Sequence, residues 1–241
     1  MKDIDKLLSK VDEESDDSIN ILFDLLKIKS ISTQTDFRDE CKKAAEWLRD
    51  YLIQIGLHTI LYETEGHPVV YGEYKSSKKD TKTILFYGHY DVQPVDPIDL
   101  WDSEPFVPSI GMIEGKKCIF ARGASDDKGQ LLTFLQAIKY FKSAYNELPF
   151  NLKIILEGEE ECGSISLPKF IAEYKEDLNS DIAYVCDTSM WNANTPAITR
   201  SLRGLLSEEF EIIGPNRDLH SGEFGGVAWN PIHIISNIIS D

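Results

Sequence analysis

Short apolar runs alternate with segments of helical periodicity along most of this chain. Three of the runs are rich in β-branched, aliphatic and aromatic residues, which is typical of strands buried on both faces. These runs are Thr83–Tyr87, Leu152–Leu156 and Ile182–Cys186. Apolar residues at helical spacing predict helices in the segments Ile19–Leu26, Cys41–Ile55 and Leu131–Phe141. Strands that alternate with helices predict an α/β fold, in which helices flank a mixed, mostly parallel sheet.

The pattern changes after about Thr195. Ala197–Thr199 and Leu205–Ile213 have the composition of longer, half-exposed strands, and Asn230 suits the N-cap of a last helix. The sequence therefore predicts two domains, 1–196 and 197–241, of which the second is the start of an α+β domain.

The charge of the chain is strongly negative. It carries 41 acidic and 25 basic residues, for a formal net charge of −16. Such a surface repels a phosphate backbone, so we expect no nucleic acid partner. Carboxylates that are concentrated in one cleft also repel each other unless cations neutralise them.

Three further features predict a cytoplasmic protein without a membrane partner. No apolar run approaches the roughly 20 residues of a membrane span. The first residues, MKDIDKLLSKVDEESDD, lack the apolar core of a signal peptide. The four cysteines are scattered and form no CxxC pair, as expected of free thiols in a reducing compartment.

Residues with metal-ligand chemistry follow the predicted strands or precede a predicted helix. They are His89, Asp91, Asp126, Asp127, Glu160, Glu161 and Asp187. The carboxyl ends of strands are where ligands bind in open α/β sheets. Oxygen and imidazole donors without thiolate suit zinc, with manganese or cobalt as substitutes. Two ions that share a bridging carboxylate would account for so many acids in one place. Taken alone, His89 beside Asp91 is equally consistent with a surface histidine next to a turn.

Several motifs occur in the order seen in the M20 metallopeptidases. They are GHYDVQP, RGASDDKG, LEGEEECGS, the strand-end Asp187 and DLHSGEFGG. The chain resembles the dipeptidase branch of this family, the group of cytosolic non-specific dipeptidase and carnosinase, and WDSEPF favours that branch over the deacetylases. The resemblance extends from about Ile19 to Asp241. It implies a zinc exopeptidase-like fold that carries an inserted lid and dimerisation domain.

The resemblance also implies a role for each metal-ligand candidate. His89 would bind one ion, with Asp91 behind it as the residue that orients the ring. Asp126 would bridge two divalent ions, and the peptide bond that follows it would be cis. Asp187 would complete the protein ligands of the first ion, and Glu161 would bind the second.

The remaining roles concern catalysis. Three acids run together at Glu159–Glu161, so two alignments are possible. The family pattern places its acidic pair directly before x-Gly-Ser, which selects Glu160 as the general base and Glu161 as the ligand, and leaves Glu159 as a bystander. His220 resembles the lid histidine that approaches the scissile carbonyl of the substrate, across the dimer interface in dimeric members.

The family's last metal ligand is a histidine that lies after the lid domain, further downstream than Asp241. We therefore expect this chain to correspond to an N-terminal portion of the family pattern, with a truncated lid. The predicted function is hydrolysis of dipeptides or short peptides at a two-metal site, by a protein that forms a homodimer at full length. Two alternatives remain open. One is an N-acyl amino-acid deacylase that uses the same site, and the other is an inactive fragment that only binds metal or dimerises.

Overall fold

The computed structural model describes residues 4–240 of the chain. Its helices are α1 (Ile4–Glu13), α2 (Ser15–Leu26), α3 (Arg38–Gln54), α4 (Lys128–Tyr145), α5 (Leu167–Glu173), α6 (Ser221–Phe224) and α7 (Pro231–Ser240). Its strands are β1 (His58–Tyr62), β2 (Val69–Tyr74), β3 (Thr83–His89), β4 (Ser109–Ile113), β5 (Lys116–Phe120), β6 (Asn151–Glu157) and β7 (Ile182–Val185).

The chain divides into two compact units, with the boundary between Ala197 and Ile198. The outer limits of the predicted domains, residues 1 and 241, lie outside the described residues, as do the first three residues of the charged N-terminal segment. The assignment of the two parts as a catalytic domain and a lid stays a prediction.

Five strands of the larger unit form one mixed sheet in the order β1-β2-β6-β3-β7. The strands β6, β3 and β7 run parallel to each other. Strand β2 pairs antiparallel with both of its neighbours, β1 and β6. This is the mixed sheet that the sequence predicts. The three parallel strands end at the same edge of the sheet, at His89, Glu157 and Val185. The residues that follow these strands therefore lie at this carboxyl edge.

Helices pack on both faces of this sheet. On one face, residues of α2, α3 and α4 form the main core, where Phe86 is fully buried and stacks on Phe134 with the ring centroids 3.8 Å apart. On the other face, Phe170 of α5 packs against Tyr71 and Ile155. Neighbouring residues of a strand point to opposite faces, so these apolar strands fill both cores. The predicted arrangement of helices flanking a sheet is confirmed.

The end of α3 shows how the sequence sets a boundary. Gly56 follows this helix with φ of +83°, a left-handed conformation that glycine adopts without steric cost. The Lys142 side chain from α4 donates hydrogen bonds to the carbonyl oxygens of Ile55 and Gly56, at 2.7 and 2.8 Å. These bonds satisfy acceptors that a helix end leaves free.

Four elements differ from the expectations. Helix α1 forms ahead of the first predicted helix. Strand β7 forms as predicted but all four of its residues are exposed, because it pairs with β3 alone in the described sheet and lies at the edge. The predicted strands Ala197–Thr199 and Leu205–Ile213 do not form, because no described residue pairs with these segments and a strand needs a hydrogen-bonded neighbour.

The smaller unit contains α6 and α7 as its described helices. The side chain of Asn230 accepts a hydrogen bond from the Ile232 N–H at 2.9 Å, so the predicted cap of the last helix is confirmed. Over the described residues, no helix has both the length and the apolar character that crossing a membrane requires.

Truncation of Phe86 tests the main core. We expect Phe86→Ala to lower the free energy of unfolding by about 3–5 kcal/mol, because it removes a buried ring and leaves a cavity against Phe134. Ile110→Ala, at a side chain that is 53% exposed on β4, is the control and should cost less than about 0.5 kcal/mol. Urea unfolding followed by circular dichroism measures both, and equal costs would contradict the assigned core.

Candidate metal centre

Three side chains from separate segments converge at the carboxyl edge of the sheet. They are His89 at the end of β3, Asp126 just before α4 and Asp187 after β7, and their ligand atoms lie within 4.8 Å of one another. His89 Nε2 is 3.1 Å from Asp126 Oδ1 and 3.6 Å from Asp187 Oδ2. Two ligand atoms that each lie about 2.1 Å from a tetrahedral zinc ion are about 3.4 Å apart. The donor set and its spacing therefore fit a divalent ion.

The three candidate ligands differ in their exposure. The side chain of His89 is fully buried, whereas those of Asp126 and Asp187 are 62% and 30% exposed. The buried histidine can hold an ion against the sheet, while the carboxylates leave a side of the group open to solvent. An open side is what a catalytic site requires and a closed structural site lacks.

The His89 ring is oriented by the residue two positions later. Its Nδ1 lies 3.1 Å from the Asp91 carbonyl oxygen and 3.3 Å from Asp91 Oδ1, which leaves Nε2 to face Asp126 and Asp187. Metal-binding histidines usually donate their second ring N–H in this way. Burial lowers the pKa of His89, but the hydrogen bond and charge of Asp91, with the charges of Asp127 and Asp187, raise it to about 10.

Asp91 is fully buried and joins three segments of the chain. Besides the His89 ring, its carboxylate accepts hydrogen bonds from the Ser32 hydroxyl at 2.6 Å and from the N–H groups of Glu160 and Glu161 at 3.3 and 3.0 Å. The sequence pointed to Asp91 as the orienting residue but did not identify Ser32, because a serine in a loop carries no pattern of its own.

The predicted general base Glu160 and the predicted metal ligand Glu161 lie on a single 3-10 turn, Glu160–Cys162, that follows β6. Burial raises the pKa of Glu160, against the opposing charge of His89. Burial also raises the pKa of Glu161, whose Oε2 accepts a hydrogen bond from Gln93 Nε2 at 2.8 Å. Among the described residues, neither acid belongs to the three-residue donor group. Glu161 is close enough to Asp126 for that charge to raise its pKa as well.

Glu159, which the motif alignment left as a bystander, has a structural position. It is 5% exposed, and its carboxylate accepts the Ser166 N–H at the start of α5, at 2.9 Å, and the His67 N–H at 3.3 Å. These bonds fix the start of α5 beside the loop that precedes β2. The triple acid run therefore combines one buried structural acid with two acids whose pKa values respond to charges of the donor group.

Asp127 and Lys128 support the segment that carries Asp126. The peptide bond between Asp126 and Asp127 is cis, as the family pattern implied. The buried Asp127 carboxylate accepts the His89 N–H at 3.1 Å, and burial raises its pKa to about 7. Lys128 is fully buried and donates hydrogen bonds to the carbonyl oxygens of Leu25 and Ile28.

His220 lies in the smaller unit, at the N-cap of α6, where its Nδ1 accepts the Gly222 N–H at 3.0 Å. Its predicted role at the substrate carbonyl stays a prediction.

The chain matches a family model and is similar to characterised proteins. The family model described as peptidase family M20/M25/M40 matches residues 85–224. The chain is 30% identical over 249 residues to the Cys-Gly metallodipeptidase dug1 of Schizosaccharomyces pombe, covering 98% of this chain and 52% of that protein. It is 32% identical over 245 residues to the human Beta-Ala-His dipeptidase, covering 95% of this chain and 47% of that protein.

The chain is also similar to a solved dipeptidase structure. The di-peptidase Dug1p from Saccharomyces cerevisiae superposes with a TM-score of 0.81 at 28% identity, over 99% of this chain and 52% of that one. The chain spans about half the length of the curated relatives it matches.

Zinc binding should be coupled to loss of a proton from His89. Because the pKa of this ring is about 10, the metal-free ring is protonated at pH 8, and an ion must displace that proton to reach Nε2. Asp127, with a pKa of about 7, is already deprotonated at pH 8. We expect about one proton released per zinc ion, measured by calorimetry in buffers of different ionisation enthalpy.

The Asp91→Asn variant is the comparison for this experiment. It removes the charge that raises the pKa of His89, so the number of protons released at pH 8 should fall. Release that is the same in both proteins would show that Asp91 does not set the protonation of the ring.

Proposed function

Because this chain belongs to peptidase family M20/M25/M40, we propose that it carries the metal-binding catalytic site of an enzyme that hydrolyses dipeptides or short peptides. The observation that carries the proposal is the convergence of His89, Asp126 and Asp187 at the carboxyl edge of the sheet. The names of the relatives, a Cys-Gly metallodipeptidase and a Beta-Ala-His dipeptidase, support dipeptides as the substrate class.

The proposed cofactor is a pair of divalent ions, with zinc as the ion that the donor set favours and manganese or cobalt as substitutes. His89, Asp126 and Asp187 would hold one ion, and Glu161 is the proposed ligand that the second would add. Bound there, such ions would supply Lewis-acid polarisation of the peptide carbonyl. Gln93 keeps the Glu161 carboxylate in place through its hydrogen bond to Oε2.

Glu160 is the proposed general base. It takes a proton from the attacking water and returns it to the amine that leaves. Burial raises the pKa of its carboxyl, which makes the carboxylate a stronger base than an exposed glutamate. Its backbone N–H is held by Asp91, so the base and the His89 ring are positioned by the same carboxylate.

His220 is the proposed residue that stabilises negative charge on the substrate carbonyl oxygen, acting across a homodimer. His220 belongs to the smaller unit.

Removal and return of metal tests the proposed function. A panel of dipeptides and N-acetyl amino acids is assayed with the protein. We expect hydrolysis of dipeptides, loss of activity after dialysis against a chelator, and recovery with zinc, manganese or cobalt. Hydrolysis of the acetylated amino acids alone would indicate a deacylase, and tight metal binding without turnover would indicate an inactive metal-binding module.

Replacement of the two acids separates their roles. Glu160→Gln should retain its metal and lose about 10²–10⁴-fold in turnover, because it removes proton transfer. Glu161→Gln should instead lower the metal content measured by atomic absorption. If Glu160→Gln kept near-normal turnover, or if Glu160→Gln lost metal while Glu161→Gln kept it, the assignment within the acid run would be wrong.

A further inference from the structure

The segment Ile28–Ser32, here called the brace, connects α2 to the rest of the larger unit and runs beside the residues that follow β3. Ile31 forms a parallel bridge with Val92. The Ser30 hydroxyl donates to the Tyr90 carbonyl oxygen at 2.6 Å, and the Val92 N–H donates to the Ser30 carbonyl oxygen at 2.9 Å. The brace is thereby fixed against the backbone on either side of Asp91.

The other end of the brace is fixed to the segment that carries Asp126. The Lys128 Nζ atom donates to the Ile28 carbonyl oxygen at 2.7 Å and to the Leu25 carbonyl oxygen at 3.2 Å. Lys128 follows the cis peptide bond between Asp126 and Asp127. The brace therefore contacts both the strand end that carries His89 and the helix start that carries Asp126.

The last residue of the brace donates to the side chain that orients His89. The Ser32 hydroxyl lies 2.6 Å from Asp91 Oδ2, and the Glu161 N–H donates to the same oxygen at 3.0 Å. The other oxygen, Oδ1, faces His89 Nδ1 at 3.3 Å. Without the Ser32 hydroxyl, Oδ2 of Asp91 keeps the 3.0 Å bond from the Glu161 N–H. The carboxylate can then rotate away from the geometry that places Oδ1 beside the His89 ring.

The backbone of Ser32 is held as well. Its carbonyl oxygen lies 3.3 Å from the Nε2 atom of His67, and the His67 N–H donates to the buried Glu159. His67 and Glu159 therefore limit how far the Ser32 backbone can move, and with it the hydroxyl that contacts Asp91.

We propose that Ser32 is a positioning residue of the metal centre, which holds the Asp91 carboxylate so that the His89 ring presents Nε2 to the ion. The proposal rests on the proposed metal-dependent function. Ser32 acts through the Asp91 carboxylate. The proposed role needs no contact with a candidate ligand atom or with the substrate.

Ser30 is the matched control, because it lies two residues away on the same brace and its hydroxyl makes an equally short bond. That bond ends on a backbone carbonyl oxygen, whereas the bond of Ser32 ends on the Asp91 carboxylate. Loss of either hydroxyl should lower the urea midpoint of unfolding. Loss of the Ser32 hydroxyl alone should change the metal centre.

The decisive comparison is between Ser32→Thr and Ser32→Val, which have the same shape and differ in the hydroxyl. Zinc affinity is measured by competition with a chromophoric chelator. We expect Ser32→Thr to bind zinc like the parent protein and Ser32→Val to bind it about 10-fold more weakly, as is typical when a residue behind a ligand is lost. Ser30→Ala should stay within about 2-fold of the parent, since its bond does not reach the carboxylate.

A double variant and a metal-free measurement complete the test. In the Asp91→Asn background, Ser32→Val should add little further loss of zinc affinity, because the group through which Ser32 acts is already changed. In the metal-free protein, the imidazole NMR signals of His89 should shift in Ser32→Val and not in Ser32→Thr or Ser30→Ala.

The outcomes distinguish the two proposals. If the parent protein binds no zinc, the proposed function fails, and the imidazole signals alone then decide whether Ser32 positions His89. If the parent binds zinc and the Val and Thr variants bind it equally, with unchanged imidazole signals, Ser32 is not a positioning residue. Equal losses in Ser32→Val and Ser30→Ala would reduce its role to general stability, which also overturns the inference.

Discussion

The candidate metal centre depends on the hydrogen bonds made to one buried carboxylate. Asp91 has no exposed surface, and a charged group taken out of water costs several kcal/mol unless donors replace the water. Those donors come from three segments that are distant in sequence: the brace, the end of β3 and the turn after β6. The need to satisfy Asp91 therefore holds the parts of the candidate centre together.

The sheet explains why these segments meet. Strand β3 lies between β6 and β7 and is parallel to both, so His89, the acid-bearing turn and Asp187 emerge at one edge. Cores on both faces fix the register of the central strands, because a slip of one residue would exchange the side chains of the two faces. The geometry of the centre is thus a consequence of how the apolar residues pack.

Besides Glu160 and Glu161, the acids of this region form two groups with different surroundings. Asp91, Asp127, Glu157 and Glu159 are buried, and each accepts at least one hydrogen bond from a donor of the protein. Asp126 and Asp187 remain partly exposed and face the imidazole of His89. The first group shapes the site, and the second leaves negative charge at its open side. Bound cations offset such charge, which agrees with the metal-dependent function proposed for this acidic chain.

The sequence by itself determined the types of element and the chemistry at their ends, because hydrophobic periodicity and motif composition are local properties. The strand that ends at His89 and the helix that follows Asp127 could both be predicted in this way. Tertiary structure alone decided the exposure of β7, the absence of strands in the described part of the smaller unit, the burial of Glu159 and the contact between Ser32 and Asp91. Each of these depends on which segments become neighbours, since a strand needs a paired backbone and a buried carboxylate needs donors. Residues 59 positions apart, as Ser32 and Asp91 are, show no local pattern that reveals such a contact.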